Sequence, residues 1–194
     1  MDEPIRVGRL LVATPTLTDP NFRRTVVLIV EHEDEDGTLG VVLNRPTELP
    51  VEQVLGAWAE LASGPRVVFQ GGPVALDSAL ALAAVGTGRD ADQPLAWRGL
   101  DGVPAMARIG LVDLDAPPEV LAGDLEGVRV FAGYAGWGAG QLESEIDDGA
   151  WYVLSGEPAD LFADDPGMLW KDVLRRAGGE LALVATFPDD PTMN

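Results

Sequence analysis

The stretch from Val128 to Val153, VRVFAGYAGWGAGQLESEIDDGAWYV, constrains the fold more than any other part of the chain. Val128, Val130 and Ala132 alternate with Arg129, Phe131 and Gly133, the period-two signature of a strand. Gly133, Gly136, Gly138 and Gly140 follow, with Tyr134 and Trp137 between them, and predict a packed glycine turn. Glycine allows positive φ and close backbone approach. Residues 141–146 predict a short helix with Ala139, Leu142 and Ile146 on one face. A second aromatic strand, ending at Val153, leaves it. A strand, a glycine turn and a helix N-terminus can cradle an anion, because free N–H groups point outward there. They equally make a structural corner. The spacing is neither a Walker loop nor a dinucleotide fingerprint. Glu143 and Glu145 put negative charge where a phosphate would sit.

Around this stretch the chain reads as alternating strands and helices of one α+β domain, residues 1–194. Residues 9–14 are a first strand and residues 15–21 a loop of turn formers. Residues 25–31, TVVLIVE, are a buried central strand. Asp36-Gly37 predicts a hairpin, with residues 39–44 returning. Val51, Val54, Leu55, Trp58 and Ala62 keep helical spacing over residues 51–62. Residues 66–70 form a strand, and Gln70-Gly71-Gly72-Pro73 a sharp corner. Residues 78–85 are read as a strand. Residues 86–102 are irregular, the best candidate for a mobile loop, with Trp97 as anchor. Residues 107–113 form a strand and residues 117–125 a helical turn. After Val153 the chain is acidic and loop-like to residue 164. A helix then buries Leu169, Trp170, Val173, Leu174 and Ala177, capped by Asp165 and closed by Gly178. Residues 181–185 are expected as a last strand, and residues 187–194 as an irregular tail.

Charge narrows the partners. The formal net charge is −19, from 32 acidic against 13 basic residues. Such a surface repels nucleic-acid phosphates and anionic lipid. With no basic stripe or helix-turn-helix pattern, direct DNA binding is not expected. The hydrophobic share of 46% supports a core, and a chain of this size buries roughly 70% of its unfolded surface. There are no cysteines, which excludes disulfides and thiolate metal sites. The first residues lack the pattern of a signal peptide, and no apolar run reaches about 18 residues. The expectation is a cytoplasmic protein with no membrane partner.

The segment LLVATPTLTDPNFRRTVVLIVEHEDEDGTLGVVLNRP resembles the signature of the YqgE/AlgH family, as do Gly71-Gly72-Pro73-Val74 and GYAGWGAGQLESEIDDGAW. The resemblance runs from Gly8 to about Gly178, with the motifs in family order. It implies a compact α+β domain with a strongly bent, largely antiparallel sheet flanked by helices. Some members carry the label of transcriptional regulator, through a link to alginate control. The resemblance brings no catalytic residues. Many members have a Ser/Thr-rich run where this chain reads Val112-Asp113-Leu114-Asp115, so those hydroxyls are missing here.

Individual residues point to binding more than to catalysis. His32, the single histidine, lies at a strand end among carboxylates and is read as bonding to its hairpin loop. There is no G-x-S-x-G elbow. The acidic run of residues 31–36 lacks EF-hand spacing and reads as a solvated hairpin tip. Glu143 and Asp147 share a helix face, as do Ser144 and Asp148. Arg45 can grip a carboxylate or phosphate with two donors. The candidate ligand-binding set is therefore Asn44, Arg45, Gln70, Gly71, Gly72, Gly136, Trp137, Gly140, Gln141 and Glu143, with bonding to backbone at tight corners as the other reading. No catalytic residue, metal site or cofactor is assigned. The expected function is a non-enzymatic domain binding a small ligand or a protein partner. An enzyme of unrecognised type using Arg45, Gln141 or Glu143 is the alternative. Exposed Trp and Phe allow a homo-oligomer.

Overall fold

The computed structural model describes residues 4–87 and 94–188. In chain order its strands are β1 (Arg9–Ala13), β2 (Val26–Glu33), β3 (Gly37–Val42), β4 (Pro46–Pro50), β5 (Val67–Gln70), β6 (Val74–Val85), β7 (Trp97–Gly99), β8 (Ile109–Val112), β9 (Leu125–Trp137) and β10 (Trp151–Ser155). The helices are α1 (Val51–Val54), α2 (Gln141–Asp147), α3 (Pro158–Leu161), α4 (Leu169–Ala177) and α5 (Gly179–Val184). The sheet path is β10-β1-β2-β3-β9-β6-β8-β7, and it curls into a half-barrel. Among the described residues, the named strands pair antiparallel except β5 with β9. This is the bent α+β architecture that the family resemblance implies.

Alternation explains how the curled sheet buries both faces. In β2, Val26, Leu28 and Val30 enter one apolar cluster, and Val27 and Ile29 enter another. Leu169, Trp170, Val173 and Leu174 of α4 pack into the first cluster. Trp170 Nε1 donates to the Ala13 carbonyl at 2.9 Å, fixing α4 to β1. Asp165 accepts the Gly167 N–H at 3.1 Å just before α4, and Gly178 with φ of +75° ends it.

Gly133 is the hinge of β9. Its φ is +71°, a conformation that an L side chain adopts only with strain. Before it, Val128 and Val130 face one cluster while Phe131 faces another. After it, Ala135 and Trp137 take the buried side of a third cluster. The alternation has slipped by one residue, as at a bulge. At the same point β9 moves from β5, through Phe69 opposite Phe131, to β3, through Thr38 opposite Trp137. The predicted glycine turn from Gly133 is therefore corrected: β9 runs on to Trp137, because β3 offers residues 135–137 a pairing partner. Only residues 138–140 turn.

Three other expectations change. Residues 51–62 are not one helix. One turn, α1, breaks at Leu55 and is followed by a 3-10 turn, Gly56–Trp58. Gly56 costs about 1 kcal/mol relative to alanine inside a helix. Val51, Trp58 and Ala62 are still buried. The last strand expected at residues 181–185 is instead α5 and the turn after it. Gly178 and Gly179 both take positive φ and redirect the chain. Leu181 and Val184, spaced three apart, then reach the core while Leu183 stays exposed. The acidic stretch after Val153 contains α3, capped by Glu157 and Asp160. Of the irregular residues 86–102, residues 88–93 lie outside the described residues, as do residues 189–194 of the tail. Trp97 does anchor: it is buried in β7, and its Nε1 donates to the Ala83 carbonyl at 3.2 Å.

Candidate functional site

The curl of the sheet brings its last strand, β7, opposite the outer end of β2. Between them lies a cleft of about 720 Å³. Its walls come from the β2–β3 hairpin, from β7 and the residues after it, from the part of β9 beyond Gly133, and from Val7 and Val74. Val30, Leu39 and Leu100 belong both to the main core and to the cleft lining, so its base is apolar. Tyr134 supplies an aromatic side, while Trp137 borders the cleft with its ring buried in the third cluster. The volume is that of an ordinary small-molecule pocket.

The polar groups sit at the rim. Arg98 Nη2 donates to Glu31 Oε1 at 3.1 Å across the mouth. Glu33, Asp36 and Asp101 also line the cleft, and no ion pair holds their carboxylates among the described residues. His32 and Thr38 face each other in the β2–β3 register, and His32 Nδ1 lies 2.8 Å from Thr38 Oγ1. His32 Nε2 is 3.6 Å from an Asp34 oxygen. Its bonding is thus to its own hairpin. Among the described residues no group of three or more His, Asp or Glu is placed to hold a metal ion.

The candidate residues named from sequence fall into three places. Gly136 and Trp137 line the cleft. Asn44, Arg45, Gln70, Gly71 and Gly72 form a corner where β3 ends beside β5. There Asn44 Oδ1 accepts the Val26 N–H at 2.9 Å, and its Nδ2 donates to the Arg24 carbonyl at 2.8 Å. Arg45 donates to the Pro20 and Arg23 carbonyls, both at 3.0 Å, and so ties down the loop after β1. Burial lowers the Arg45 pKa, with the nearby Asp19 charge opposing the shift. Gln70 N–H donates to the Arg45 carbonyl at 2.8 Å, and Gly71 N–H to Ala132 at 2.9 Å. Gly72 packs against the Tyr134 backbone, leaving no room for a Cβ.

Gly140, Gln141 and Glu143 stand at the start of α2. Gln141 Oε1 accepts the Gly138 N–H, and its Nε2 donates to Glu145 Oε1, each at 3.0 Å. Glu145 Oε2 accepts the indole N–H groups of Trp137 and Trp151, both at 2.9 Å. Glu143 is exposed. The two glutamates are two residues apart on a helix and so point in different directions.

Sequence reasoning left Glu31, Thr38, Arg98, Asp101 and Tyr134 out of the candidate set. The Asp36-Gly37 hairpin signal already places Thr38 opposite His32. Nothing in the irregular stretch around Arg98 signals that it meets Glu31.

Comparison with known proteins agrees with this architecture. The family model described as DUF179, AlgH-like, matches residues 10–182. A UPF0301 protein of Streptomyces avermitilis is 59% identical over 188 residues, covering 96% of this chain and 94% of that protein. One from Thermobifida fusca is 55% identical over 197 residues, covering 100% and 98%. One from Mycobacterium tuberculosis is 50% identical over 191 residues, covering 98% and 91%. The crystal structure of a Corynebacterium diphtheriae protein superposes with a TM-score of 0.89 at 33% identity, covering 96% of this chain and 95% of that one. The solution structure of the Pseudomonas aeruginosa AlgH protein gives 0.68 at 29%, covering 97% of each. With the family model spanning nearly the whole sheet and all five helices in whole or in part, the chain belongs to the AlgH-like family.

Proposed function

We propose that the chain is a non-enzymatic binding domain whose ligand site is the cleft between the β2–β3 hairpin, β7 and the outer part of β9. One observation carries this reading: the curled sheet leaves a gap between β7 and the outer end of β2, and that gap has an apolar base, an aromatic side and a charged rim. Binding pockets combine an apolar body with a few placed polar groups in this way. By contrast, the polar side chains of Asn44 and Arg45 are engaged with backbone. No helix among the described residues is long and apolar enough to cross a membrane. The net charge of −19 supports a role without direct contact to nucleic acid, and we place that role in the cytoplasm.

Gly136 provides the test. It lines the cleft, and a Cβ there would meet only Tyr134 Cε2 at 3.7 Å, an ordinary contact. Gly136→Leu therefore obstructs part of the cleft without a clash at Cβ. Compounds and short peptides that raise the wild-type melting temperature should leave Gly136→Leu unmoved. A variant that responds like the wild type contradicts the assignment of the site.

A further inference from the structure

We infer that the occupant of the cleft is an extended segment of a partner protein carrying lysine or arginine side chains, laid in as an added strand between β7 and the outer part of β2. The inference rests on the cleft being the ligand site.

The backbone makes the first half of the argument. The β1–β2 register ends at Leu10 opposite Leu28. Gly8 N–H still donates to the Ile29 carbonyl at 2.8 Å. Beyond that point, residues 31–33 of β2 pair with β3 on one side and, among the described residues, with no strand on the other. β7 ends the sheet path and, among the described residues, pairs only with β8. Leu100 N–H donates to Ile109, and Asp113 N–H to Ala96. Hydrogen-bonded pairs alternate along an antiparallel ladder. Residues 96, 98 and 100 thus face β8, and the N–H and C=O of Gly99 face the other way. Gly99 lines the cleft. Two open strand edges therefore flank one cavity, which is the geometry that strand addition uses.

Charge makes the second half. Glu31, Glu33, Asp36 and Asp101 line the cleft against one guanidinium, Arg98, which Glu31 already neutralises. Three carboxylates, those of Glu33, Asp36 and Asp101, are left without a cationic partner among the described residues. Tyr134 Oη has no hydrogen-bond partner among the described residues either. An aromatic side beside free carboxylates suits an ammonium or guanidinium on an apolar stem. The same rim repels phosphate and acidic peptides.

Fluorescence anisotropy of the full chain with labelled short peptides tests this. The probes are a peptide alternating valine and lysine, its valine–glutamate counterpart and an N-methylated form of the first. Unlabelled lysine amide competes as the free amine. The lysine peptide should bind more tightly than the glutamate peptide by about tenfold or more, and more weakly as salt rises. The combined variant Glu33→Gln, Asp36→Asn, Asp101→Asn should weaken it by about tenfold and flatten the salt dependence. N-methylation should weaken it as well, since strand addition needs backbone donors. Equal binding of the lysine and glutamate peptides overturns the inference, as does indifference to the combined variant or to N-methylation. Lysine amide competing as well as the peptide also overturns it, in favour of a free-amine site. Gly136→Leu separates the two levels. A lysine peptide that never binds, beside another probe that Gly136→Leu blocks, ends this inference and keeps the cleft. Binding that Gly136→Leu leaves intact removes the cleft itself.

Discussion

Arg98 donates to Glu31 at 3.1 Å, and through this pair the last strand of the sheet path holds the outer end of β2 across the cleft. Both side chains are more than half exposed, at 66% and 54%. Exposed pairs contribute about 1 kcal/mol or less. Arg98→Ala should therefore change stability by no more than that in urea denaturation. It also leaves Glu31 without its counter-charge, so affinity for a lysine-bearing peptide should rise a few-fold. A fall in affinity would show that the guanidinium itself contacts the occupant.

Glu145 and Glu143 should behave as opposites. Glu145 satisfies two indole N–H groups of buried tryptophans and joins α2 to β9 and β10. Glu145→Ala leaves both donors without this acceptor and should cost about 2–3 kcal/mol in denaturant midpoint terms. It should also change tryptophan fluorescence. Glu143→Ala, on the exposed side of α2, should stay within about 0.5 kcal/mol. Equal costs for the two would contradict the placement of α2.

The Gly71-Gly72 corner should tolerate no side chain. A Cβ on Gly71 would lie 2.3 Å from the Gly133 carbonyl oxygen, and one on Gly72 would lie 2.1 Å from Tyr134 backbone atoms. Neither neighbour is a flexible side chain, so the strand itself must move. Gly72→Ala should lose at least about 3 kcal/mol, or fail to fold, while Gly136→Ala should fold normally.

Tyr152 should weaken the fold at alkaline pH. Burial raises its pKa above the ordinary 10.0 by disfavouring the phenolate. The folded state therefore binds more protons than the unfolded state above about pH 10. The stability from the neutral phenol is fully present below that pH and is lost as pH rises through the folded pKa. Tyr152→Phe should match the wild type at pH 7 and lose less melting temperature between pH 9 and 11. Parallel curves would contradict the cause.

The strands were legible where an apolar or β-branched run met a turn signal, as in β1, β2 and β3. Segments set by their surroundings were not. α5 carries apolar residues that fit either period, and only the two positive-φ glycines before it decide for a helix. Arg129 alternates along β9 like an outward-facing residue, yet it is buried, stacked 4.2 Å over Phe69, with its pKa lowered by burial to about 10. The candidate site was half legible for the same reason. Trp137 and Gly136 stood out by composition. Arg98, Glu31 and Asp101 meet only because the sheet curls, a long-range fact that no local pattern encodes.

The central claim is that ligands enter at the cleft and not at the Arg45 corner or the start of α2. An amide NMR titration of the full chain with the valine–lysine peptide tests it most directly. Shifts should concentrate in residues 31–39, 98–101 and 134–137, with Asn44, Arg45, Gln70 and Glu143 unmoved. Shifts centred on Arg45 and Gln70, or on Gln141 and Glu143, with the cleft silent, would contradict it.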